Sequence, residues 1–501
     1  MSNQFANFVT PFCRRLKRTH GIKAILICTR ITDLPPSGLF DFDAQAFDEV
    51  VEIGDLMEPR PETSLLSPTE LARSAQEVES ELGLNLLDII RTDRHIGIGF
   101  VSGGLFMRSR YARGVAYPQA VDLAARLCRF FANLLDKHRP FAVLSGYGAV
   151  HIAALTSVAS ARGIPMRWPI FSRTGKQMFW TENQFNWPAG LQTAYERRLA
   201  QTDFRPAEEV RLDTPYVAKL IQTTNRTNLG LLSLARRLFK VLRLELSDRL
   251  RGRTFRYGSY LFRDRVWLIC ERWWWRRRAV RQKAVMPGLA EGLPYVFFPL
   301  HIEPEVAIMS EAQASDQQLT FIEWLAKTVP GGWYVVVKEH PNATTPRPRG
   351  FKDRLATIPN VIIAAPLENG EGIAYKAQAV AVINGTLGVQ AAIAGVPVIT
   401  FHRHFQARLM PHVLFADNYD GTRTAIRSIV RGQISPAAER RRAGAAFKAA
   451  LDDCAFAISN PGLLMGRAGS TKLLPDEVEL FASRFLATLD PLEAAERSSV
   501  A

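Results

Sequence analysis

Short apolar runs alternate with amphipathic segments along most of this sequence. In the second half of the chain, runs rich in valine and isoleucine lie at 295–300, 333–339, 360–365, 379–384 and 396–401. Segments with apolar residues at helical spacing separate them, at 316–329, 370–378 and 387–395. Apolar β-branched runs are typical of strands buried in a sheet, and strands that alternate with helices form parallel sheets. The pattern predicts a doubly wound α/β unit in residues 291–425.

The first 200 residues show the same alternation less clearly. Strands are predicted at 22–29, 49–54, 140–146 and 164–170, and helices at 119–138 and 149–163. A chain of 501 residues is too long for one compact core, so we expect more than one domain. We predict an α/β fold with two Rossmann-like parallel-sheet lobes, at 1–200 and 291–425, a cleft between them, and C-terminal helices with a tail at 426–501.

Residues 201–290 differ from both lobes in pattern and charge, and we predict a basic helical segment there. A leucine-rich amphipathic stretch covers 229–253, and residues 251–283 contain eleven Arg or Lys against two acidic residues, with four tryptophans among them. A solvated helix, a nucleic-acid site and a membrane-surface site are the three interpretations. Tryptophan among arginine favours an anionic membrane surface, and no nucleic-acid-binding module is recognisable. The residues predicted to contact the membrane are Trp273, Trp274, Trp275, Arg276, Arg277 and Arg278.

Composition bears on partners and location. The formal net charge of +15 argues for an anionic partner. The five cysteines lie far apart, without the spacing of a disulfide framework or a zinc site, which favours a reducing compartment. No apolar stretch is long enough to span a bilayer, and no cleavable leader is recognisable. We expect a cytoplasmic protein that is peripheral on the inner face of the cytoplasmic membrane.

Polar side chains follow three strands of the predicted second lobe, where each strand ends. They occupy 301–305 after the first strand, 338–340 after the second and 384–388 after the fourth. Ligands of open parallel sheets bind at the carboxyl ends of the strands. We therefore expect these residues to converge on the rim that faces the cleft.

The 384–388 segment, Asn-Gly-Thr-Leu-Gly, has the features of a phosphate site. Gly385 permits a tight turn and the close approach of an anion, and the helix that follows has a partial positive charge at its N-terminus. Thr386 can donate its hydroxyl to a phosphate oxygen, His340 is a second donor, and Lys338 adds positive charge. An ordinary helix cap at Thr386 and an ordinary strand-end histidine at His340 are the alternatives.

The motifs that carry these residues resemble a known family. The segments YVFFPLHIEPE, KEHP and NGTLGVQAAIAGVPVI are similar to the capsule polysaccharide biosynthesis family, bacterial glycosyltransferases of the two-lobed GT-B fold that include Kdo transferases. The His-Pro pair also resembles that of bacterial sialyl- and polysialyltransferases. The resemblance covers residues 293–402 and, more weakly, 164–183. It implies a GT-B-like fold with an acceptor lobe at 1–200 and a nucleotide-sugar lobe at 291–425.

The resemblance also implies roles for individual residues. In those enzymes the histidine before proline, and hydroxyls that open a later helix, bind the phosphate of a CMP-activated sugar, so these roles fall to His340 and Thr386. The family usually has a glutamate in that helix for ribose hydroxyls, where this sequence has Gln390, which binds a hydroxyl less strongly than a carboxylate does. Asn384 and Glu305 are further candidates for binding the nucleotide or the sugar.

Glycosyl transfer needs a base that deprotonates the acceptor hydroxyl, and GT-B enzymes usually supply it from the first lobe. Asp93 is our candidate, with Glu182 as an alternative and a surface ion pair as the structural explanation for Asp93. His301 is a second candidate catalytic residue. The spacing of His301, Glu303 and Glu305 matches no strong metal motif, and we predict neither a metal nor a cofactor.

The sequence thus favours a metal-independent glycosyltransferase of capsule or surface polysaccharide assembly. It would transfer a sugar, Kdo or a related acidic sugar, from a nucleotide donor, preferably a CMP-sugar, to a glycan or lipid-linked acceptor. We expect no nucleic-acid partner. A CDP-polyol phosphotransferase on a similar fold, and an inactive two-lobed scaffold that binds membrane or nucleic acid through residues 229–283, are the alternatives.

Overall fold

A computed structural model of the chain describes residues 3–29, 43–97, 115–146, 148–172, 174, 177–201, 230–250, 260–281, 292–303, 305–312, 315–340, 347, 350–459 and 473–489. Pro341 of the His-Pro pair, residues 202–229 and 282–291 of the predicted basic segment, and the tail 490–501 lie outside these ranges.

The first lobe consists of helices around two short pairs of parallel strands. Its strands are β1 (Ile25–Cys28) paired with β2 (Glu49–Glu52), and β3 (Val143–Leu144) paired with β4 (Met166–Arg167). Its helices are α1 (Asn3–His20), α2 (Pro68–Leu82), α3 (Leu86–Arg91), α4 (Tyr117–His138) and α5 (Val150–Ala161), with 3-10 turns at Ala44–Ala46 and Glu62–Ser64. The predicted strands are present but shorter, and helices α1 to α3 were not predicted.

The predicted strand at 164–170 is divided between two sheets. After β4, Trp168 turns the chain into β5 (Pro169–Phe171), which pairs antiparallel with β6 (Gln177–Trp180). A backbone hydrogen bond of 2.9 Å from the Thr181 N–H to the Trp168 carbonyl holds this corner. The apolar run predicted one strand because both halves are partly buried, and the change of partner leaves no trace in the pattern.

Two helices lie between the lobes in sequence, where the basic segment was predicted. They are α7 (Leu231–Leu250) and α8 (Phe262–Arg281), which pack on each other and follow α6 (Leu191–Ala200) along the chain. No helix in the described ranges combines the length and the apolar character needed to cross a bilayer.

The second lobe contains a six-stranded parallel sheet. Its strands are β7 (Tyr295–Pro299), β8 (Tyr334–Lys338), β9 (Val361–Ala364), β10 (Ala379–Val382), β11 (Val398–Thr400) and β12 (Val413–Phe415). Its helices are α9 (Val306–Met309), α10 (Gln318–Thr328), α11 (Phe351–Ala356), α12 (Gly370–Lys376), α13 (Thr386–Ile393), α14 (Tyr419–Val430) and α15 (Ala437–Cys454), with a 3-10 turn at Gln406–Leu409.

The order of the strands is β12-β11-β10-β7-β8-β9, and every neighbouring pair is parallel. This is the doubly wound Rossmann order, in which the direction of winding reverses between the first and fourth strands. Alternate residues of β7 enter different cores, because side chains along a strand point to opposite faces of the sheet. Phe297 packs in the core that includes α13 and α15, and Phe298 packs in the core that includes α10 and α14.

The chain passes between the lobes twice, and the two passages are hydrogen-bonded to each other. From β6 it enters α6, which packs on α15, and Arg198 pairs with Asp453 across that contact. From α15 it returns through β13 (Phe456–Ala457), which pairs antiparallel with β6, to α16 (Pro475–Ala487). Helix α16 packs on α1 of the first lobe, where Arg167 donates to the Thr488 carbonyl at 2.7 Å. The chain thus has an α/β, GT-B-like fold, as predicted, and each lobe is completed by a segment from the other side of the crossing.

Candidate functional site at the switch point of the second lobe

The polar strand ends meet where the winding of the sheet reverses. Strand β7 leads directly to His301 and its neighbour β10 leads to Asn384 and Gly385. At a switch point the connections from adjacent strands leave toward opposite faces of the sheet, which opens a crevice between the loops. The site is therefore placed by the strand order and is made by two loops that lie more than eighty residues apart, as the 83-residue separation of His301 and Asn384 shows.

His301 contacts the turn before α13. The Asn384 N–H donates to His301 Nε2 at 3.3 Å, which requires the tautomer with its proton on Nδ1. Gly385 has φ of 121°, and a Cβ added there would lie 3.2 Å from His301 Cε1. The sequence predicted that Gly385 lets an anion approach the backbone and that His301 is catalytic. In the structure the glycine admits the imidazole, and because His301 Nε2 already accepts a hydrogen bond, we infer that His301 positions the turn.

Helix α13 begins at this turn with Thr386 exposed. Its N-cap residue is Gly385, which has no side chain to satisfy the N–H groups of the first turn. These N–H groups and the helix dipole suit an anion, and the exposed hydroxyl is a further donor. Gln390, one turn further along the same face, is buried.

A buried ion cluster supports the loops at the rim. Arg347 donates from Nη2 to Glu339 Oε1 at 2.8 Å and from Nε to Glu339 Oε2 at 3.2 Å, and its Nη1 lies 3.6 Å from Glu303 Oε2. Arg347 also donates to the backbone carbonyl of His301. The backbone N–H of His301 in turn donates to Gln318 Oε1 at 2.7 Å. The cluster ties the strand ends of β7 and β8 to the segment that follows His340.

The pKa values of Glu303 and Arg347 are both raised, for different reasons. Burial raises the pKa of Glu303, and Arg347 opposes that change only in part. Burial alone would lower the pKa of Arg347, but Glu339 and Glu303 hold it above its ordinary value. The guanidinium therefore stays charged, and Glu303 takes up a proton more readily than an ordinary glutamate does.

Lys338 and His340 have lowered proton affinity. Burial lowers the pKa of Lys338 to about 8, and its ammonium donates to the carbonyls of Pro366 at 2.9 Å and Glu339 at 3.3 Å. Burial, with Lys338 nearby, lowers the pKa of His340 to about 4, so the imidazole is neutral at pH 7. Lys338 was predicted to bind the donor phosphate. Its ammonium is buried on backbone carbonyls, so we infer a structural role for Lys338, and its role in donor binding stays a prediction.

Asn384 is held by Glu311, which the sequence analysis missed. Glu311 accepts hydrogen bonds from the side-chain amides of Asn384 and of Asn186, which lies in the passage between the lobes. Asn384 was predicted to bind nucleotide or sugar. Its buried amide fixes the turn, since its Oδ1 also accepts from the Gly385 N–H at 2.8 Å. Ligand binding by Asn384 stays a prediction. Glu305, predicted for the same role, is the N-cap residue of α9 and is half-buried.

Asp93, the predicted catalytic base, is fully buried. Its Oδ1 accepts from the N–H groups of His95 at 2.7 Å and Ile96 at 3.2 Å, and its Oδ2 accepts from Val150 N–H at 2.9 Å. Val150 opens α5, whose N-cap residue Ala149 has no capping side chain. Asp93 thus caps a helix from 57 residues away. We infer a structural role for Asp93, and its role as the catalytic base stays a prediction.

Asp93→Asn is expected to lower the free energy of unfolding by about 1–3 kcal/mol, because one backbone N–H would then face an amide donor in a buried site. Urea unfolding measures the change. The matched control is Asp88→Asn, since the Asp88 side chain is 58% exposed and makes a 3.5 Å pair with Arg91. We expect that control to stay within about 0.5 kcal/mol of the parent. Equal stability of both variants would contradict the capping role.

A small polar cleft of about 170 Å³ lies between the lobes. Thr92, Gly148 and Ser157 line it from the first lobe, and Gln184 and Ser310 line its other side. Glu182, the alternative base, is exposed two residues before Gln184 and accepts from the Gly190 N–H at 3.3 Å. Within the described ranges no three His, Cys, Asp or Glu side chains cluster as metal ligands.

The predicted membrane residues lie near the end of α8, and most are only partly exposed. Trp273 and Trp275 are half-buried, and Trp274 is 51% exposed. Arg277 lies 4.6 Å from the Trp273 ring centroid and Arg278 lies 5.4 Å from that of Trp274, so two arginines stack on tryptophans of their own helix. Arg276 is also half-buried.

The functional residues that sequence analysis missed have weak signals. Arg347 stands six residues after Pro341 and carries the only charge in NATTPRP, which was a hint that it pairs locally with Glu339. Glu311 lies two residues after α9 and Gln318 is the first residue of α10, and no local pattern separates them from solvated residues.

Strand order and switch-point geometry together define a GT-B-like α/β protein. No family model matches the chain, and no curated protein matches it.

Among solved structures, the chain is similar to KpsC of Thermosulfurimonas dismutans, a beta Kdo 2,7 transferase. The identity is 13% and the TM-score 0.29, over 63% of this chain and 80% of that chain. It is also similar to the UDP-GlcNAc 2-epimerase of Methanocaldococcus jannaschii, at 13% identity and a TM-score of 0.26 over 68% of this chain and 84% of that one. The UDP-GlcNAc 2-epimerase of Neisseria meningitidis is similar at 13% identity and a TM-score of 0.26, over 66% of this chain and 81% of that one.

Proposed function

We propose that this protein is a glycosyltransferase that binds the phosphate of a nucleotide-sugar at the start of α13. The observation that carries the proposal is the exposed, uncapped first turn at Thr386, which lies at the switch point of a Rossmann-order sheet. Donor anions bind helix N-termini through backbone N–H groups, without a metal. The acceptor sugar would enter the polar cleft, whose hydroxyl and amide side chains suit a glycan.

The finer assignment is a CMP-activated acidic sugar, Kdo or a relative, transferred in capsule or surface-polysaccharide assembly to a glycan or lipid-linked acceptor. It is supported by the resemblance around His340 and Thr386. A neutral His340 would gain a proton as phosphate charge develops on the leaving group, because a neighbouring anion raises the pKa of an imidazole. Glu182 remains the candidate base, since its carboxylate is exposed.

Two other functions use the same features. A CDP-polyol phosphotransferase would need the same grip on phosphate, and its product would contain a phosphodiester in place of a glycosidic bond. An inactive scaffold is favoured by Gln390, which is buried and uncharged where the resembling family has a glutamate. Analysis of the product bond separates the first alternative, and turnover of any donor excludes the second.

A thermal-shift screen with CMP, CDP, UDP and GDP compounds tests the proposal. We expect a cytidine nucleotide to raise the melting temperature, since a ligand at a hundred times its Kd stabilises the native state by about 2.7 kcal/mol. His340→Ala and Thr386→Ala should abolish that rise. Thr424→Ala, a control on α14 whose hydroxyl bonds only within its helix turn to the Asp420 carbonyl, should keep it. A rise unchanged in both site variants, or no rise with any nucleotide, would refute the site.

A further inference from the structure

Helix α7 turns apolar side chains toward solvent. Leu232, Phe239 and Leu250 are 77%, 67% and 88% exposed, and Leu242 and Leu246 are also exposed. We call these five residues the outer stripe. The apolar residues on the other side of the same helix are half-buried, namely Leu234, Leu238 and Val241. A contiguous apolar surface of this kind marks an interaction site in soluble proteins.

The spacing of these residues makes them one continuous surface. Leu232, Phe239 and Leu246 are seven residues apart, and Leu250 follows four residues later, so all lie on one side of a helix with 3.6 residues per turn. Phe239, Leu242 and Leu246, with Leu250, also line a shallow apolar groove. Sequence analysis assigned the leucines of this helix to one side without deciding which of them face the protein.

Positive charge flanks the middle of the stripe. Arg236, Lys240 and Arg243 are exposed and follow one another at three- and four-residue intervals beside it. On α8, burial lowers the pKa of Arg272 and Arg276, and Arg237 of α7 lowers both further. The pair of helices thus gathers positive charge, which favours an anionic partner.

We propose that the outer stripe of α7 docks on the surface of an anionic phospholipid bilayer. The helix would lie in the plane of the interface with its leucines and Phe239 at the acyl boundary and Arg236, Lys240 and Arg243 on lipid phosphates. A nucleic acid would match the arginines but would leave the apolar stripe in water. This moves the membrane contact from the Trp273–Arg278 run to the preceding helix, with Trp274 as an accessory contact.

The pair of helices α7 and α8 is anchored beside the polar cleft between the lobes. Tyr260 lies just before α8, and the centroid of its ring is 5.4 Å from that of His95. His95 belongs to the loop whose backbone N–H groups donate to Asp93. Thr92, immediately before that loop, lines the cleft. Docking through α7 would therefore hold the cleft near the bilayer, where a lipid-linked acceptor arrives. This consequence, unlike the docking itself, rests on the proposed glycosyltransferase function.

Co-sedimentation of the full chain with phosphatidylcholine vesicles, with and without phosphatidylglycerol, tests the docking. We expect binding that needs phosphatidylglycerol and falls with added salt. The double variant Phe239→Asp, Leu246→Asp should bind about a hundredfold more weakly, roughly tenfold for each side chain lost from the apolar layer. The matched control is Leu66→Asp, Val430→Asp, which places the same charges at apolar positions that are 43% and 45% exposed elsewhere.

A second variant keeps the test decisive if the aspartates impair folding. Arg236→Gln, Lys240→Gln, Arg243→Gln should lose about fivefold in binding per charge on anionic vesicles. Parent-level binding by a folded stripe variant overturns the proposal. The proposal is also overturned if light scattering shows that the parent protein is a dimer, that the stripe variant is a monomer, and that the parent does not bind vesicles. Binding of the protein to a duplex oligonucleotide, without binding to vesicles, also overturns the docking proposal. The nucleotide screen is read independently, so either proposal can fail alone.

Discussion

Arg347→Met is expected to lower the free energy of unfolding by about 3–5 kcal/mol, the largest single-residue effect on stability that we foresee. The side chains of Arg347, Glu339 and Glu303 are 6%, 6% and 1% exposed, so neither carboxylate can recover its hydration when the guanidinium is removed. Methionine fills much of the volume of the arginine stem, which leaves the loss of charge as the main change. Urea unfolding at pH 7 measures it.

Arg354→Met is the matched control for this variant. Arg354 donates to Glu323 at 2.8 Å, but its side chain is 50% exposed, and such surface pairs contribute about 0–1 kcal/mol. The same substitution in a solvated pair should therefore change stability little. A comparable loss in both variants would show that the buried cluster is not special.

The pH dependence of Arg347→Met gives a second readout with a definite sign. Without Arg347, the already raised pKa of Glu303 rises further, so the folded state binds a proton that the unfolded state releases. A carboxyl with a raised folded pKa gains stability as pH falls from above that pKa toward its ordinary value. The gap in stability between parent and variant should therefore narrow between pH 7 and pH 5. A gap that widens would contradict the burial of an unpaired Glu303.

Gly385→Ala is expected to weaken nucleotide-sugar binding by about tenfold to a hundredfold. At φ of 121° and ψ of 162° the backbone is in a region that only glycine adopts without a strain of about 1–3 kcal/mol. The added Cβ would also press on His301 Cε1 at 3.2 Å, so the turn and the first N–H groups of α13 would shift. Calorimetric titration with the nucleotide identified in the thermal screen measures the affinity.

Gly432→Ala separates strain from the site. Gly432 has φ of 65° and an added Cβ would meet nothing within 4 Å. The control should lose some stability but keep the parent's affinity for nucleotide. An affinity loss equal to that of Gly385→Ala would mean that general strain, and not the turn beside His301, controls binding.

Much of the second lobe was predictable because its signals are local. Each of the five predicted strands between 295 and 401 is present within three residues, since apolar β-branched runs that are buried on both faces leave a clear pattern. Strand β12 and the antiparallel β5–β6–β13 sheet were missed, because these short strands do not lie in the valine- and isoleucine-rich runs that marked the other strands of the second lobe. The roles predicted for His340, Thr386 and Gln390 remain predictions.

By itself, the sequence determined the α/β class of the chain, the segments that become the second sheet, and the polar groups that follow three of its strands. Only the tertiary structure decided that His301 reaches the turn at Gly385, that Asp93 caps a helix, that Arg347 is buried between two glutamates, and that α7 exposes its apolar stripe. The physical reason is that periodicity and turn chemistry act over a few residues, whereas burial and charge pairing depend on which distant segments the strand order brings together.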